Sequence, residues 1–375
     1  MSKSNETTPN VPTLRFKQFQ DNWSSKRLSD IAEVVGGGTP DTTDSTLWNG
    51  GIQWFTPTEV GHSKYVSMSA RTISQLGLQK SSAKILPAGS ILLSSRATVG
   101  ECSITQKDCT TNQGFQNLIP KKGINNEFLY YLAQTQKRHF IKYASGSTFL
   151  EISNSEIKKT KCAIPSIEEQ TEIATFLSSI DRKIEVQNKI ISKYETLIKG
   201  LCDKIFRHDK SVCLSDLVKC KTSILQENEI ATYYNGEYNV FGASGIIASI
   251  NKYQFEDDGI LVLKDGSKAG KIQYAGGKYS VVGTSVVLIP NNADDARYLY
   301  FAMLSIDFDK YKVGSGIPHI YFKDYSCERI YYPNSALRIR IAKVLDTYEK
   351  KVEIEKEMLS ALQKQKAFLL QSMFI

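Results

Sequence analysis

Residues 173–205, IATFLSSIDRKIEVQNKIISKYETLIKGLCDKI, decide how the chain is read. Ile173, Leu177, Ile180, Ile184, Gln187, Ile191, Tyr194, Ile198, Leu201 and Ile205 advance by four and three without a break. That 3.5-residue period belongs to a helix that buries one narrow stripe against another helix. Residues 341–373, IAKVLDTYEKKVEIEKEMLSALQKQKAFLLQSM, repeat it 168 positions later through Ile341, Leu345, Tyr348, Val352, Glu355, Leu359, Leu362, Lys366, Leu369 and Met373. Ser166 after Pro165, with Glu169 three residues on, predicts a capping-box start for the first helix, and Asn334 after Pro333 caps the second. Each seam would extend about 50 Å at 1.5 Å per residue. Burial is simplest if the two helices cover each other. Tandem copies related by a two-fold axis would then lie antiparallel, with their globular parts at opposite ends. Gln187, Glu355 and Lys366 interrupt the stripe and read as register-setting positions.

Upstream of the helices the repeat continues. Leu28-Ser29-Asp30 recurs as Leu214-Ser215-Asp216, and Gly89, Ile91-Leu92-Leu93 and Gly100 recur as Gly259, Leu261-Val262-Leu263 and Gly270. Leu118-Ile119-Pro120 matches Leu288-Ile289-Pro290, Leu129-Tyr130 matches Leu299-Tyr300, and Gly146-Ser147 and Pro165 match Gly314-Ser315 and Pro333. The chain therefore reads as a mixed α+β protein in two copies. Its expected parts are an N-terminal extension (1–23), a globular domain (24–165), a helix (166–210), a second globular domain (211–333) and a second helix (334–375). Short apolar runs bounded by Gly, Pro and Asn predict strands at 91–95, 117–120, 260–264, 271–275 and 285–290. Residues 125–144 and 294–308 are each expected to form one helix. The first copy is about 18 residues longer near its start, which places an insertion or variable loop around Gly36-Gly37-Gly38-Thr39-Pro40.

The 375 residues carry 47 basic and 39 acidic side chains, a net charge of +8. The excess is uneven: residues 24–165 hold 16 basic and 10 acidic groups, 211–333 hold 12 and 14. Any basic face on the second domain must therefore be local. Seven scattered cysteines without a CxxC pair imply reduced thiols. The absence of a long apolar stretch argues against a membrane span, so the expected location is cytoplasmic. Catalytic signatures are missing. No prolines adjoin to form the (Asn/Asp/Ser)-Pro-Pro-aromatic loop of an adenine methyltransferase, and no GxxxxGK(S/T) phosphate loop occurs. Glu156-Ile157-Lys158 has the spacing of a nuclease carboxylate–lysine pair but reads as a solvated strand or turn. Cys202, His208, Cys213 and Cys220 fit no common zinc pattern, so no metal is expected.

The residues resemble the specificity subunit of type I restriction-modification systems over nearly the whole chain. The likeness rests on LSDIAEV (28–34), GGGTP (36–40), PAGSILLSSRATVG (87–100), TNQGFQNL (111–118), GST (146–148), IP (164–165) and EEQTEIATFLSSIDRKI (168–184). The second copy departs from it at Ala336-Leu337-Arg338 and Val282-Gly283-Thr284.

The resemblance implies two tandem α/β target recognition domains separated by two long helices forming an antiparallel coiled coil. It implies a non-catalytic reader of duplex DNA with a bipartite, asymmetric site. Two modification (methyltransferase) subunits would dock on the helices, and restriction subunits would join through them. No cofactor is expected in this chain: S-adenosylmethionine would belong to the modification subunits, and ATP and Mg to the restriction subunits. Lys84, Arg96, Thr98, Asn112 and Gln113 are the expected DNA contacts of the first domain, the two amides suiting adenine in a major groove. Lys264, Lys268, Lys271, Lys278 and Tyr279 are those of the second, chiefly to phosphate. For Arg96 a surface salt bridge, and for Asn112 and Gln113 turn capping, are the competing readings. The competing function is a coiled-coil scaffold that binds proteins only.

Overall fold

The apolar runs after Gly89 and Gly259 become central strands covered on both faces, which is why they lack polar alternation. Ile91 and Leu93 face one hydrophobic cluster while Leu92 faces another; Ile260 and Val262 are likewise divided from Leu261. The computed structural model of the chain describes residues 11–146, 150–207, 210–230, 236–314 and 316–375. Residues 1–10 of the extension, Ser147, Thr148, His208 and Ser315 lie outside the described residues. The chain divides into two units, Met1–Val186 with Leu359–Ile375, and Gln187–Met358.

The first unit begins with β1 (Ser24–Arg27), α1 (Leu28–Ile31), β2 (Ala32–Gly36), β3 (Trp48–Phe55), β4 (Tyr65–Val66), β5 (Arg71–Ile73) and α2 (Gln75–Gln79). It continues with β6 (Ile91–Leu93), β7 (Cys102–Thr105), β8 (Cys109–Thr111), β9 (Gln116–Pro120), α3 (Asn126–Thr135), α4 (Lys137–Tyr143), α5 (Asn154–Lys159) and β10 (Lys161–Ile164). Its sheets run β2-β9-β6-β7-β4 and β5-β3-β8, with β1 paired to β10. The long helix α6 (Ile167–Phe206) follows.

The second unit holds β11 (Lys210–Cys213), α7 (Leu214–Leu217), β12 (Val218–Thr222), α8 (Glu227–Ile230), β13 (Tyr238–Gly242), β14 (Gly245–Ile250) and β15 (Gly259–Leu263). After these come β16 (Ile272–Ala275), β17 (Tyr279–Val281), β18 (Ser285–Pro290), α9 (Ala296–Met303), α10 (Phe322–Tyr325), β19 (Arg329–Tyr331) and α11 (Ser335–Ser372). Its sheets run β12-β18-β15-β16 and β14-β13-β17, with β11 paired to β19. This is the first unit's plan without the edge strand β4. In both, the small sheet contains one parallel pair, β3 with β8 and β13 with β17.

Several expectations need correction. The extra length of the first copy is not a loop at Gly36–Pro40. Fifty-four residues separate β2 from β6 and 36 separate β12 from β15, and the surplus builds β4 and α2. The glycine run is packed: a Cβ on Gly37 would lie 2.0 Å from the Asn112 carbonyl oxygen, and one on Gly38 2.4 Å from the Ala83 nitrogen. Residues 125–144 form two helices, and 294–308 contain an α-helix flanked by short 3-10 turns at Ala293–Asp295 and Phe308–Tyr311. The helices stop for a common reason. Gly100 and Gly270, both at φ +87°, close the turns after β6 and β15, and the segment following each helix comes down on them. A Cβ on Gly100 would meet Lys137 Cγ at 2.7 Å, and one on Gly270 would meet Phe308 Cβ at 2.5 Å. Glu156-Ile157-Lys158 lies in helix α5 with Ile157 buried, because Ser153 caps that turn.

Ser166 Oγ accepts from the Glu169 amide at 3.3 Å, but the Glu169 carboxylate does not close the box: it receives Arg15 at 2.7 and 2.8 Å. Asn334 Oδ1 accepts from the Leu337 amide at 3.0 Å. Every seam position is buried or half-buried. Ile173, Leu177, Ile180, Leu369, Met373 and Phe374 belong to the first unit's core, so the end of α11 completes that domain. Ile198, Leu201, Ile205, Ile341 and Leu345 pack in the second core with Tyr298, Leu299 and Phe301. Burying one such side chain contributes about 1.5–3 kcal/mol. The polar interruptions are satisfied: Gln187 Nε2 donates to the Glu355 carbonyl at 3.0 Å and to its carboxylate, and Lys366 meets Asp181 at 2.7 Å.

Candidate nucleic-acid interface

The turn between β6 and β7 is held from both sides. Ser95 donates its amide to the Gly114 carbonyl at 2.8 Å and accepts the Ile152 amide at 3.0 Å. Ala97 stands at φ 64°, leaving Arg96, Ala97 and Thr98 exposed at its tip. Thr98 Oγ1 lies 3.0 Å from Ser94 Oγ and 3.5 Å from the Pro57 carbonyl. Asn112 bonds through its amide to the Phe55 carbonyl at 3.0 Å, and its Oδ1 accepts from Gly114 N at 2.8 Å. Gln113 accepts from the Thr39 hydroxyl beside Gly38, the glycine packed on Ser82 and Ala83. The fold thus gathers Arg96, Thr98, Asn112 and Gln113, with exposed Lys84 next to Ala83. The side chains of Arg96, Thr98, Asn112 and Gln113 are already engaged within the protein. Arg96 donates to Glu151 at 2.6 and 3.0 Å, and Asn112 Oδ1 caps its own turn, as the competing readings had it.

In the second unit the turn after β15 is built alike: Lys264 donates its amide to the Thr284 carbonyl and accepts that of Ile320, both at 2.9 Å. Lys268 and Lys271, with Lys312, line a concavity of about 420 Å³ that also contains Asp307 and Asp309. The expected single cluster does not form. Lys278 stands beyond the far end of β16, because the strand intervenes, and its Nζ caps the Tyr253 ring at 4.7 Å. Tyr279 is buried at 1% exposure, stacked on Phe255 and edge-on to Phe241 between the sheets, so it cannot meet DNA.

The two turns share one latch, with the carboxylate moved from the returning segment to the turn itself. In the first unit Arg96 and Ser145 both bridge to Glu151; 168 or 169 positions on, Asp265 and Val313 both bridge to His319. His319 Nδ1 lies 2.8 Å from Asp265 Oδ1. The sequence pattern of one copy contained no signal for this reversal; only superposing the offsets finds it.

A second exchange occurs where each globular domain meets its long helix. Lys64 binds Glu127 at 2.9 Å and Tyr131 at 3.1 Å, Ser178 donates to Glu127, and Tyr131 donates to Asp181. Burial lowers Lys64 below the usual lysine value. Burial alone would raise the Glu127 carboxyl, but hydrogen bonds from Ser178, Tyr65 and Lys64 bring it below the usual value. In the second unit Arg297 occupies the position of Glu127 and meets Asp346 at 2.5 Å and Glu349, while Tyr300 donates to Glu349 at 2.7 Å. Burial opposes its charge, yet Glu349 and Asp346 raise Arg297 above the ordinary arginine value.

Among the described residues no three His, Cys, Asp or Glu converge as a metal site. Burial pushes Cys102, Cys162 and Cys202 up to about 12 and Cys109 to about 11, which disfavours the thiolate needed by a nucleophile or ligand. No helix among the described residues is long and apolar enough to cross a membrane.

The family described as "Type I restriction modification DNA specificity domain" matches twice, at residues 20–196 and 209–364, one match for each copy of the repeat. The chain belongs to this family. Members of the specificity family recognise DNA sequence. Among curated relatives, the MjaIX specificity subunit of Methanocaldococcus jannaschii is 42% identical over 178 residues, 46% of this chain and 41% of the relative. The EcoR124I/EcoR124II specificity subunit of Escherichia coli is 27% identical over 203 residues, 49% of this chain and 50% of the relative. The chain thus spans half or less of the length of these two. The EcoprrI specificity subunit of Escherichia coli is 21% identical over 86% of both chains. Among solved structures, the type I S subunit of M. genitalium superimposes with a TM-score of 0.64 at 18% identity, covering 97% of this chain and 99% of that one. That likeness is one of fold, two domains of mixed α/β structure.

Proposed function

We propose that the chain is the non-catalytic DNA-reading subunit of a type I restriction-modification complex, each globular unit (24–165 and 211–333) reading one half of a bipartite, asymmetric duplex site. One observation carries the reading: two copies of one fold present the same turn with opposite chemistry, Arg96–Glu151 in one and Asp265–His319 in the other. Two different half-sites need equal geometry and unequal side chains.

In this reading α6 and α11 form an antiparallel coiled coil that sets the spacer. Gln187 faces Glu355 and Tyr194 faces Tyr348 with ring centroids 6.4 Å apart, so numbers rise on one helix as they fall on the other. Two modification subunits, bringing S-adenosylmethionine, dock on the outer faces, where Phe176 and Val186 are exposed on α6 and Val344 and Ile354 stand exposed 168 positions on. Restriction subunits, with ATP and Mg, join through them in the cytoplasm. The first domain contacts DNA through Lys84, Thr98 and Gln113, and through Arg96 once Glu151 releases it. The second uses Lys264, Lys268 and Lys271.

The test is exchange of residues 211–333 for the equivalent domain of a related subunit, followed by methylome sequencing of cells that also carry the modification subunit. One half of the methylated sequence should change while the other stays. A swap that rewrites both halves together overturns the two-reader model, and a wild-type assembly without any preference among duplexes favours a scaffold.

A further inference from the structure

In the small sheet of the first unit, Arg71 on β5 pairs in register with Trp54 on β3, whose other neighbour is Thr110 on β8. The guanidinium carbon lies 3.7 Å from the ring centre of Trp48 and 5.7 Å from that of Trp54. The two indoles meet edge to face at 89° and 5.0 Å. Each is anchored to backbone: Trp48 Nε1 donates to the Asp41 carbonyl at 2.9 Å, and Trp54 Nε1 to the Gly38 carbonyl at 2.8 Å. The rings therefore form a fixed corner, and an arginine stacked on it loses little further freedom when its N–H edge finds acceptors.

Arg71 differs from Arg15, Arg96, Arg297 and Arg338, each of which is neutralised by a carboxylate. Arg71 is exposed and has no ion-pair partner among the described residues. Its corner also adjoins the turn residues: the carbonyl that anchors Trp54 belongs to Gly38, whose amide bonds to Thr111, and Thr39 bonds to Gln113. The second unit carries the same device in other residues. Tyr238 and Tyr253 meet edge to face at 5.1 Å, and Lys278 caps Tyr253 without an ion-pair partner among the described residues.

We propose that Arg71, presented by the Trp48–Trp54 corner, is a DNA-contacting residue of the first half-site and takes a paired-acceptor group of the duplex, a guanine edge or a backbone phosphate. The proposal rests on the DNA-reading function above and adds a residue that sequence inspection passed over. A planar fork matches either acceptor pair, whereas the point charge of Lys278 suits phosphate.

The test uses the full chain assembled with its modification subunits and measures binding to a randomised duplex pool, and to the selected duplex across a salt series. Variants are Arg71→Met, which keeps the stacked stem, and Arg71→Lys, which keeps the charge; Lys268→Ala with Lys271→Ala is the comparison, and melting curves check folding. Arg71→Met is expected to weaken the selected duplex by about five- to a hundredfold. If the acceptor is guanine, both variants relax preference at one position of the first half only. If it is phosphate, Arg71→Lys binds like wild type, and Arg71→Met loses affinity uniformly with the salt slope reduced by about one. Folded Arg71 variants that match wild type in affinity, slope and preference, while Lys268→Ala with Lys271→Ala weakens binding, overturn the proposal. A wild-type assembly that selects no duplex instead removes the DNA-reading function beneath it.

Discussion

At the junction between globular domain and long helix, the first unit places Glu127 where the second places Arg297, and in each case the opposite charge is recruited from elsewhere. Lys64, from a stretch of the first copy's extra length, answers Glu127; Asp346 and Glu349, one turn apart on α11, answer Arg297. On the exposed turn the carboxylate likewise changes sides, from Glu151 on the returning segment to Asp265 on the turn itself. A repeat of this kind preserves where charges must be balanced and leaves open which side supplies which sign. Geometry is common to the copies because backbone position is set by buried apolar packing. Charge is free to diverge because any complementary pair satisfies the site.

The comparison can be broken most strongly at the C-terminus. Ending the chain at residue 366 removes Leu369, Met373 and Phe374 from the first core but nothing from the second. Three buried side chains amount to about 5–9 kcal/mol, the scale of a domain's whole stability. Hydrogen-exchange mass spectrometry should show the first unit losing protection while β15 and β18 keep theirs; equal loss in both units would refute the assignment of these residues.

Arg297→Met should act on the second unit alone, leaving the partly buried Glu349 without its cation and Asp346 with only the exposed Lys350, at a cost of about 2–4 kcal/mol. Differential unfolding of the two units in urea measures it. A change below 0.5 kcal/mol (roughly the noise of an exposed pair) would mean that the network is ornamental.

On the first unit the same question is put with acid. Glu127 titrates below its unfolded value, so its contribution is present above that value and lost as pH falls through the lower folded one. Glu127→Gln should therefore be less stable near neutrality yet lose less on acidification below about pH 4.5. Parallel pH profiles for variant and wild type would sink the argument.

The smallest effects belong to the latches. Glu151→Gln and Asp265→Asn remove exposed partners, and stability should move by less than about 1 kcal/mol. Duplex binding should instead tighten, as Arg96 is released by the first change and the second removes a carboxylate 4.0 Å from Lys264, and a titration by fluorescence anisotropy reads the sign.

The repeat, the two long helices and the side chains that cap their first turns were legible because each is a local pattern: a 3.5-residue period, an apolar run between turn residues, a Ser or Asn ahead of a helix. Local pattern also placed the exposed turns. It failed where partners are distant in sequence. Arg96 meets Glu151 across 55 positions and Trp54 meets the Gly38 carbonyl across 16. Tyr279, between Lys278 and Ser280 in a polar-looking stretch, is buried because β17 lies parallel to β13 beneath the main sheet. The amino-acid sequence by itself determined a duplicated specificity-family fold, since hydrophobic periodicity is written residue by residue. Which cations are held by carboxylates and which stand open to solvent was decided only by the tertiary structure, because ion pairs, ring stacks and burial depend on which segments the fold brings together.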